Sequence, residues 1–477
     1  MPLRHLLRLL ACALALPAAG AAARPLAAQD SLRLALPDVV RQVLRSSDET
    51  RIADALVELA DAQVTAARAA GLPQLRLNST YTQVLKNARA EIVGQLFGQN
   101  YVYNSNLQLQ QSLFQGGRIL AAAQAASRVE RAALATRDET RAQLAVLVQR
   151  VYLNALFSAR LVDIQRGNLT IADERVTQVE QLERSGRASR YDVLRARVER
   201  ANLEPLLRQA ESDRAVADLE LRRLLDLPAD QPIALATELD AETVRSLAAA
   251  AVANDRVPGT RPAVAAAEYT VSARRASIRA ARADLLPTFN ASVSFGYLAL
   301  PSANGFPTVF GDRASSYCPA GSDPTRICQN NGWFPDRNIG FQFSWPLFDG
   351  LRAKGQIDLA QAQTKTAEAQ LKQARENAAI DVARARAELE RARSVAAARE
   401  TTVREAEEAF ALARLRAERG VGTQLEVSDA QLALLTARST DARALIDLFL
   451  AVADLARVRA EPIPLPDGAS ITLRESR

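Results

Sequence analysis

Four short segments of the chain alternate between apolar and polar side chains, which is the two-residue period of a β-strand. In the clearest segment, the odd positions from Phe289 to Tyr297 are apolar or aromatic and the even positions from Thr288 to Ser294 are polar. The same alternation occurs at 75–81, 101–110 and 338–347. The four segments predict strands of about ten residues, paired as β-hairpins over 74–113 and 288–347, each with one apolar and one polar face.

Each predicted hairpin is followed by a proline-free segment rich in Ala, Arg, Glu, Gln and Leu, at 117–184 and 351–419. A helix over the first segment would be ~100 Å long. Because no single globular core is that wide, the long helices must pack along their length against other helices. The return helices are predicted to end near residues 225 and 457.

Each return helix opens with a capping-box pattern, Ser189 with Asp192 and Thr423 with Glu426. A shorter helix is predicted before each hairpin, at 48–70 and 261–284. The short helix and the return helix together nearly equal the long helix in length. Each half of the chain is therefore predicted to form a long helical hairpin, 117–225 and 351–457, with one segmented arm.

The chain also repeats itself in order. Ala-Ala-Arg-Ala-Ala-Gly-Leu-Pro at 66–73 returns as Ala-Ala-Arg-Ala-Asp-Leu-Leu-Pro at 280–287, and Leu-Phe-Gln-Gly at 113–116 returns as Leu-Phe-Asp-Gly at 347–350. The turns at 185–189 and 419–423 correspond in the same way. These landmarks predict a tandem duplication with repeats at 31–240 and 241–459, and a tail with three prolines at 460–477 for which no site is predicted.

The first residues have the pattern of a secretory signal peptide, with basic Arg4 and Arg8, an apolar run and small residues at its end. The predicted signal peptide spans 1–28 and is cut after residue 23 or 28. In an oxidising compartment, the ten-residue spacing of Cys318 and Cys328 favours one disulfide within the insertion of the second repeat.

The amino-acid composition limits the kinds of catalytic and metal sites that the mature chain can contain. The only histidine, His5, lies in the predicted signal peptide. Without histidine the mature chain lacks imidazole acid–base catalysis and the usual zinc ligands, so we expect no enzyme activity and no cofactor. The net charge of +6 is spread over segments in which Glu and Arg alternate, which predicts solvated helix faces and no nucleic-acid binding.

Strands of this length with one apolar face are typical of transmembrane β-barrels. Four strands cannot close around a pore, and lipid does not tolerate open sheet edges, because unpaired backbone groups there are costly. Three chains would supply twelve strands and enclose an aqueous pore, whereas two would supply only eight. The alternative is a soluble sheet whose apolar face packs on the helices.

These features together resemble the TolC-like outer membrane efflux proteins. The resemblance rests on the signal peptide, the duplicated helix–hairpin–helix plan, the Leu-Phe-Gln-Gly-Gly and Leu-Phe-Asp-Gly strand exits, and Gly-x-Gly-Thr-x-Leu-Glu-Val-x-Asp-Ala at 420–430. It covers about 32–459. The resemblance implies an α+β membrane protein: a homotrimer with a 12-stranded barrel in outer membrane lipid, four strands per chain, continued by a long periplasmic α-helical barrel. It also implies a periplasmic adaptor and an inner-membrane transporter as partners.

The resemblance assigns adaptor contact to the two interhelical turns, whose candidate residues are Gly186, Arg187, Ser189, Gly420, Val421, Gly422 and Thr423. The local alternative is that the glycines only permit tight turns and that Ser189 and Thr423 only cap helices. The resemblance also places acidic residues around the closed aperture, and the candidates here are Glu426, Asp429 and Asp192. In a trimer such a ring would favour cations. A helix cap and a solvated acid are the alternative roles.

Aromatic residues on the predicted strands are candidates for lipid-facing or interfacial positions. They are Tyr81, Tyr103, Phe295, Tyr297, Phe343 and Trp345. A role in a protein core is the alternative. The sequence thus predicts a passive outer-membrane exit duct of a Gram-negative bacterium. A protein-secretion channel, an exported coiled-coil scaffold without a pore, and an extracytoplasmic enzyme with a carboxylate or Ser/Lys site are the competing hypotheses.

Overall fold

The computed structural model describes residues 32–86, 101–254, 259–299, 301, 306–307, 309–310, 332–419 and 421–471. Three of the predictions above concern other residues. The signal peptide at 1–28, the pair Cys318 and Cys328, and Gly420 of the second turn all lie outside the described part of the chain.

Helices dominate the described residues. Their bounds are α1 Leu36–Ser46, α2 Asp48–Ala69, α3 Arg118–Arg184, α4 Arg190–Leu224, α5 Ala241–Ala253, α6 Pro262–Arg282, α7 Arg352–Glu418 and α8 Gln424–Val458. The two long helices α3 and α7 have 67 residues each, within one residue of the predicted bounds at each end. The return helices α4 and α8 have 35 residues each.

The strands form one main sheet and two small ones. Their bounds are β1 Leu32–Leu34, β2 Gln74–Gln83, β3 Tyr101–Gln115, β4 Ile233–Leu235, β5 Thr288–Ala299, β6 Val309–Phe310, β7 Gly332–Ser344, β8 Ile463–Pro464 and β9 Ser470–Ile471. The main sheet has the order β2-β3-β5-β7-β6. Three of its strands exceed the predicted ten residues, and β3, with 15, is the longest.

The register of the main sheet places the alternating apolar residues on one face. Tyr81 lies opposite Tyr103, Leu107 opposite Phe295, and Ala291 opposite Phe341, so these odd-numbered positions all point the same way. In the single chain this face is open to solvent, with Ile339 71% and Phe341 68% exposed. The alternative of a soluble sheet packed on the helices is therefore wrong, because the helices leave the apolar face uncovered.

The helices lie side by side in a fixed lateral order. In the half next to the sheet, α2 packs on α3, α3 on α6, and α6 on α7. In the half away from the sheet, α4 packs on α3, α3 on α8, and α8 on α7. As predicted, α2 and α4 together line the length of α3. The layer therefore has two edges, α2 and α4 on one side and α7 on the other.

The main core lies at the middle of the long helices. There α1, α5 and the pairs β1–β4 and β8–β9 surround the helices, and the buried residues include Val148, Leu221, Leu389 and Phe449. Tyr152 is fully buried, and its hydroxyl donates to the Leu34 carbonyl oxygen at 2.7 Å. Through α8 and β8 this core joins the two predicted repeats.

A buried ion cluster joins four helices beside the core. Glu139 of α3 accepts from Arg261, the N-cap residue just before α6, at 2.8 Å, and Arg261 also donates to Asp381 of α7 at 2.6 Å. Arg457 of α8 lies 3.5 Å from Glu139. Burial opposes ionisation of Glu139, but the hydrogen bonds and charges of the arginines outweigh it and hold the pKa of Glu139 below its ordinary value.

Part of the proline-containing tail is folded. Ile463 and Leu465 are buried in the main core, and β8 pairs with β9. Among the described helices, α3 contains one window that is long and apolar enough to cross a membrane. Half of that window is buried inside the protein, because α3 supplies the centre of the core.

Candidate functional site

The end of the helical layer farthest from the sheet carries the two interhelical turns, 185–189 and 419–423, which we call the tip. In the first turn Gly186 adopts a φ of +71°, a conformation that favours glycine. Ser189 and Asp192 form the predicted capping box: the Ser189 hydroxyl accepts from the Asp192 N–H, and Asp192 accepts from the Ser189 N–H at 2.9 Å. Arg187 is exposed beside them.

The second turn closes by backbone hydrogen bonds. The N–H groups of Val421 and Gly422 both donate to the Arg416 carbonyl oxygen at 3.0 Å. A Cβ on Gly422 would lie 2.9 Å from the Arg416 Cβ, so this position needs glycine for close approach. Thr423 caps α8 by accepting from the Glu426 N–H at 3.3 Å. Val421 is 75% exposed at the apex.

The structure places each of the three candidate acids near an arginine. The carboxylate of Glu426 lies 3.6 Å from Arg416 Nε, so Glu426 forms an ion pair where a reciprocal capping bond was predicted. Hydrogen bonds from the Ser189 hydroxyl and N–H lower the pKa of Asp192. Asp429 acts electrostatically on Arg195 of α4, which brings the second-repeat acid beside the first-repeat return helix.

Sequence reasoning missed Arg195 and Arg416, because ion pairs between helices leave no local pattern. It also missed an exposed apolar stripe on α4, formed by Tyr191, Leu194 and Val198. Their three- and four-residue spacing is the helical period, and that spacing is a signal that could have identified the stripe. The stripe faces away from α3, on the edge of the layer.

Five of the six candidate aromatic residues lie on the apolar face of the main sheet at different heights, and Trp345 directly follows Ser344, the last residue of β7. Tyr81 and Tyr103 contact each other at 4.7 Å between ring centroids, at the end away from the helices. At the helix end, Trp345 Nε1 donates to the Leu285 carbonyl oxygen at 3.2 Å. Phe343 is near the helix end of β7, Tyr297 is near the far end of β5, and Phe295 is between these two levels.

Among the described residues, no three His, Cys, Asp or Glu side chains are grouped so that they could hold a metal ion. The titratable groups of the tip are instead carboxylates and guanidinium groups in exposed pairs. Arg197 of α4, for example, donates to Glu180 of α3 at 2.6 Å and lowers the pKa of Glu180. This arrangement can attract ions and contact a partner.

Several known proteins are similar to this chain in sequence or in fold. The chain is 29% identical over 212 residues to outer membrane protein OprJ of Pseudomonas aeruginosa, an alignment that covers 42% of this chain and only 39% of OprJ. Among solved structures, the outer membrane protein VceC of Vibrio cholerae has a TM-score of 0.67 and 21% identity, covering 89% of this chain and 95% of VceC.

The CmeC outer membrane channel of Campylobacter jejuni has a TM-score of 0.70 and 14% identity, covering 89% of this chain and 85% of CmeC. At these identities the structural matches establish the fold. The sequence profile of the family described as outer membrane efflux protein matches residues 39–226 and 255–459, which is most of the chain. The protein therefore belongs to the outer membrane efflux protein family and is a Gram-negative outer membrane protein with a large periplasmic part.

Proposed function

We propose that the protein is the outer-membrane channel of a tripartite efflux system and that it works as a passive exit duct for small molecules. The observation that carries this proposal is the uncovered apolar face of a sheet that does not close on itself. An apolar face of this kind is stable in lipid, where the strand edges must also be paired. The inner-membrane transporter would supply the energy, and this chain would do no bond chemistry.

The edges of the single chain support assembly in a ring. β2 and α2 lie on one edge together with α4. α7 lies on the other edge with β7, whose outer side is unpaired in the described chain except at Gly332 and Trp333, where the two-residue β6 pairs with it. If β7 of one protomer pairs with β2 of the next, α7 comes beside α2 and α4 of that neighbour. One head-to-tail contact would then join both the sheets and the helices of neighbouring protomers. Such contacts form a ring when the rotation from each protomer to the next closes, and closure of the β-barrel would impose that rotation.

Three protomers are the number we propose. Three chains give twelve long strands, four from each main sheet, and the polar face, with residues such as Asn106, Gln108 and Ser292, would line the lumen. Two chains would give eight strands, whose interior side chains fill the barrel. The long helices would continue the barrel as a periplasmic tunnel, and the two repeats, 31–240 and 241–459, would contribute equivalent helical hairpins.

At the tip we propose contact with a periplasmic adaptor protein. The exposed Arg187 and Val421 lie at the apices of the two turns, and the backbone constraints at Gly186 and Gly422 fix the shape of those turns. The caps Ser189 and Thr423 hold the return helices. Gly420, which lies outside the described residues, stays part of the proposal from the sequence alone. Repetition in a trimer would present six turns to the adaptor.

We also propose that Glu426 and Asp429, with Asp192 beside them, surround the aperture at the tip. Carboxylates around a narrow mouth favour cations. The neighbouring Arg416 and Arg195 offset part of this charge, so we expect a moderate preference rather than strict selectivity.

Single-channel recording of the detergent-purified protein in a planar bilayer tests the proposal. We expect discrete conductance steps from the wild type and a reduced cation preference in the double variant Glu426→Ala, Asp429→Ala. Asp213→Ala, on α4 far from the tip, is the control and should leave the preference unchanged. Folded trimers that never conduct, even when the tip is loosened, would favour the scaffold hypothesis, and an unchanged preference in the double variant would reject the acidic aperture.

A further inference from the structure

The main sheet holds a contact between the two repeats, which we call the inner seam. It is the pairing of β3 of the first repeat with β5 of the second, in which Leu107 lies opposite Phe295 and the register shifts between Ser112 and Phe114. Along the same boundary α3 packs on α6. The outer sides of β2 and of most of β7 have no strand beside them within the described chain. The inner seam therefore shows how two repeats join when both are present.

The two repeats have the same geometry, displaced by fixed numbers of residues. The pair Gln74–Gln110 of the first hairpin corresponds to Thr288–Ser344 of the second, which displaces the first strand by 214 positions and the second strand by 234. The displacement of 234 also relates both ends of α3 to those of α7, and both ends of α4 to those of α8. Each of these residues therefore has a defined equivalent in the other repeat.

Two equivalent glycines differ in what surrounds them. A Cβ on Gly116, just after β3, would lie 2.8 Å from the Leu286 Cβ of the second repeat, so the chain is closely packed across the inner seam. Gly350 is the equivalent residue after β7 and has a similar φ, +70° against +58°, but a Cβ there would meet nothing within 4 Å. The equivalent of Leu286 is Leu72, which is exposed at the opposite edge of the chain. A second copy of the chain would bring Leu72 to Gly350 as Leu286 comes to Gly116.

The helices show the same difference between a covered and an uncovered edge. Ala273 of α6 is 4% exposed, whereas its equivalent in α2, Leu59, is 57% exposed. Val146 of α3 is 4% exposed in the main core, whereas its equivalent in α7, Ile380, is 47% exposed. At both uncovered positions the side chain is larger than its buried equivalent. A second copy would therefore bury apolar side chains at both edges of the layer.

We propose that the contact between protomers repeats the inner seam residue for residue. β7 then pairs with β2 of the next protomer in the register in which β3 pairs with β5, so that Phe341 lies opposite Tyr81 and Ser344 opposite Asn78 of that protomer. The inference rests on the proposed ring and adds the register, which ring formation by itself leaves open. A shift by one residue would turn the apolar side chains of β2 to the lumen. A shift by two would keep them on the lipid side, so the sidedness of the strands does not choose between registers two residues apart.

The register shift of the inner seam has a counterpart in the sequence after β7. Ser112 and Phe114 correspond to Pro346 and Phe348. Proline lacks an N–H and is found in sheets at edges and bulges, so Pro346 fits a position at which the ladder is already irregular. In the proposed register Phe348, which is more exposed than Phe114 in the single chain, lies opposite Leu75 of the next protomer, another exposed residue.

The short strand β6 leaves room for this contact. It pairs with β7 only at Gly332 and Trp333, whereas the last residue of β2, Gln83, would lie opposite Ile339. A register displaced by six residues towards the far end of β7 would instead bring Gln83 to Trp333, where β6 already lies. β6 and the next protomer can therefore share the edge of β7 in the proposed register.

Cysteine cross-linking of the full-length protein in lipid vesicles tests the register. Residues directly opposite in antiparallel strands have Cα atoms about 4.5–5.5 Å apart, a distance that a disulfide can span. We expect Asn78→Cys with Ser344→Cys to form linked dimers and trimers on mild oxidation. Arg76→Cys or Thr80→Cys, each with Ser344→Cys, should give about tenfold less linkage, because residues displaced by two positions lie too far apart for a disulfide.

The matched positive control is the equivalent pair of the inner seam, Gln110→Cys with Ser292→Cys, which lie opposite each other and should link within one chain. Each single-cysteine variant controls for linkage through the native cysteines. Stronger linkage of Ser344→Cys to Arg76→Cys or Thr80→Cys would overturn the register and leave the ring intact. Linkage of the control pair alone, in a protein that light scattering shows to be a trimer, would overturn the repetition of the inner seam. A monomer in lipid would overturn the proposed ring as well.

Discussion

At the scale of single residues, the most consequential side chains are those that join helices from different parts of the chain. Glu139 lies in α3, and its partners are Arg261, the N-cap residue of α6, and Arg457 of α8. The side chain of Glu139 is only 9% exposed. If Glu139 loses its charge, Arg261 keeps only Asp381 and Arg457 keeps only Asp454 as a carboxylate partner, and both arginines lose their most buried counter-charge. Glu139 therefore helps to fix the relative positions of the helices.

Glu139→Gln should lower the free energy of unfolding by about 3 kcal/mol, because Arg261 and Arg457 then lose a buried counter-charge. Glu388→Gln is the matched control, since Glu388 pairs with Arg391 on the exposed face of α7. It should cost well under about 1 kcal/mol. Denaturant unfolding of the solubilised protein measures both, and equal losses would contradict the structural role of the buried cluster.

The contribution of Glu139 to the stability of the protein should also depend on pH. The pKa of Glu139 is lowered from its ordinary value of 4.5 in the folded protein. Its contribution to stability is therefore complete above that value and is lost as the pH falls through the lower folded pKa. The stability difference between wild type and Glu139→Gln should be constant at neutral and weakly acidic pH and should shrink below pH 4.5. If the difference grew on acidification, the pKa of Glu139 would be raised in the folded protein and not lowered.

Gly422→Ala should distort the second turn of the tip, because the new Cβ would lie 2.9 Å from the Arg416 Cβ and 3.1 Å from the Ala417 nitrogen. We expect faster amide hydrogen exchange of Val421 and Gly422 and weaker adaptor binding. Gly167→Ala is the control, because a Cβ there meets nothing within 4 Å and alanine is the better helix former by about 1 kcal/mol. Slower or unchanged exchange in the turn would contradict the prediction.

At the scale of secondary-structure elements, the main sheet is the part of the protein whose surface requires contact with lipid. Its strands pair in one register, and that register gathers the apolar residues on a single face. The helices continue from the ends of the strands without covering that face. The four long strands therefore need lipid on one side and further strands at both edges.

Ile339→Lys should destabilise the folded barrel by about 2–4 kcal/mol, because it places a charge on the lipid-facing side near the middle of β7. Asn338→Lys changes the adjacent residue on the opposite face and should have little effect. Folding into lipid vesicles under increasing urea measures the difference. Equal effects of the two substitutions would show that neither face contacts lipid.

At the scale of the whole molecule, the two edges of the single chain are complementary in position. α4 carries the exposed Leu194 near its tip end, and α7 carries the exposed Leu415 near its own. Each is a few residues from the turn, so a neighbour joined head to tail would bring them to the same height. The apolar stripe of α4 is then an interface between protomers rather than a free surface.

The double variant Leu194→Cys, Leu415→Cys should form disulfide-linked dimers and trimers on mild oxidation, because the two edges meet in the proposed ring. Leu194→Cys with Ile380→Cys is the control, since Ile380 is exposed on the same helix but roughly 50 Å farther from the tip. Non-reducing electrophoresis distinguishes the species. Equal linkage in both double variants, or none in the first, would contradict this arrangement.

The local elements were predictable from the sequence. The period of Phe289 to Tyr297 defined a strand, and the proline-free segment of α3 defined a helix within one residue of its observed bounds. Hydrophobic periodicity and helix capping depend on residues that are only a few positions apart in the chain. They can therefore be recognised in the sequence without knowledge of the tertiary structure. The tandem repeat was visible for the same reason, as was the resemblance that led to the family.

Only the tertiary structure decided which helices are neighbours and which charges meet. It placed α6 between α3 and α7, brought Arg261 to Glu139, and set α8 of the second repeat against α3 of the first. It also left the apolar face of the sheet uncovered, which the alternating pattern alone could not distinguish from a face packed on helices. These contacts join residues more than a hundred positions apart, and pairing at that distance is set by how whole elements pack, for which no local pattern exists.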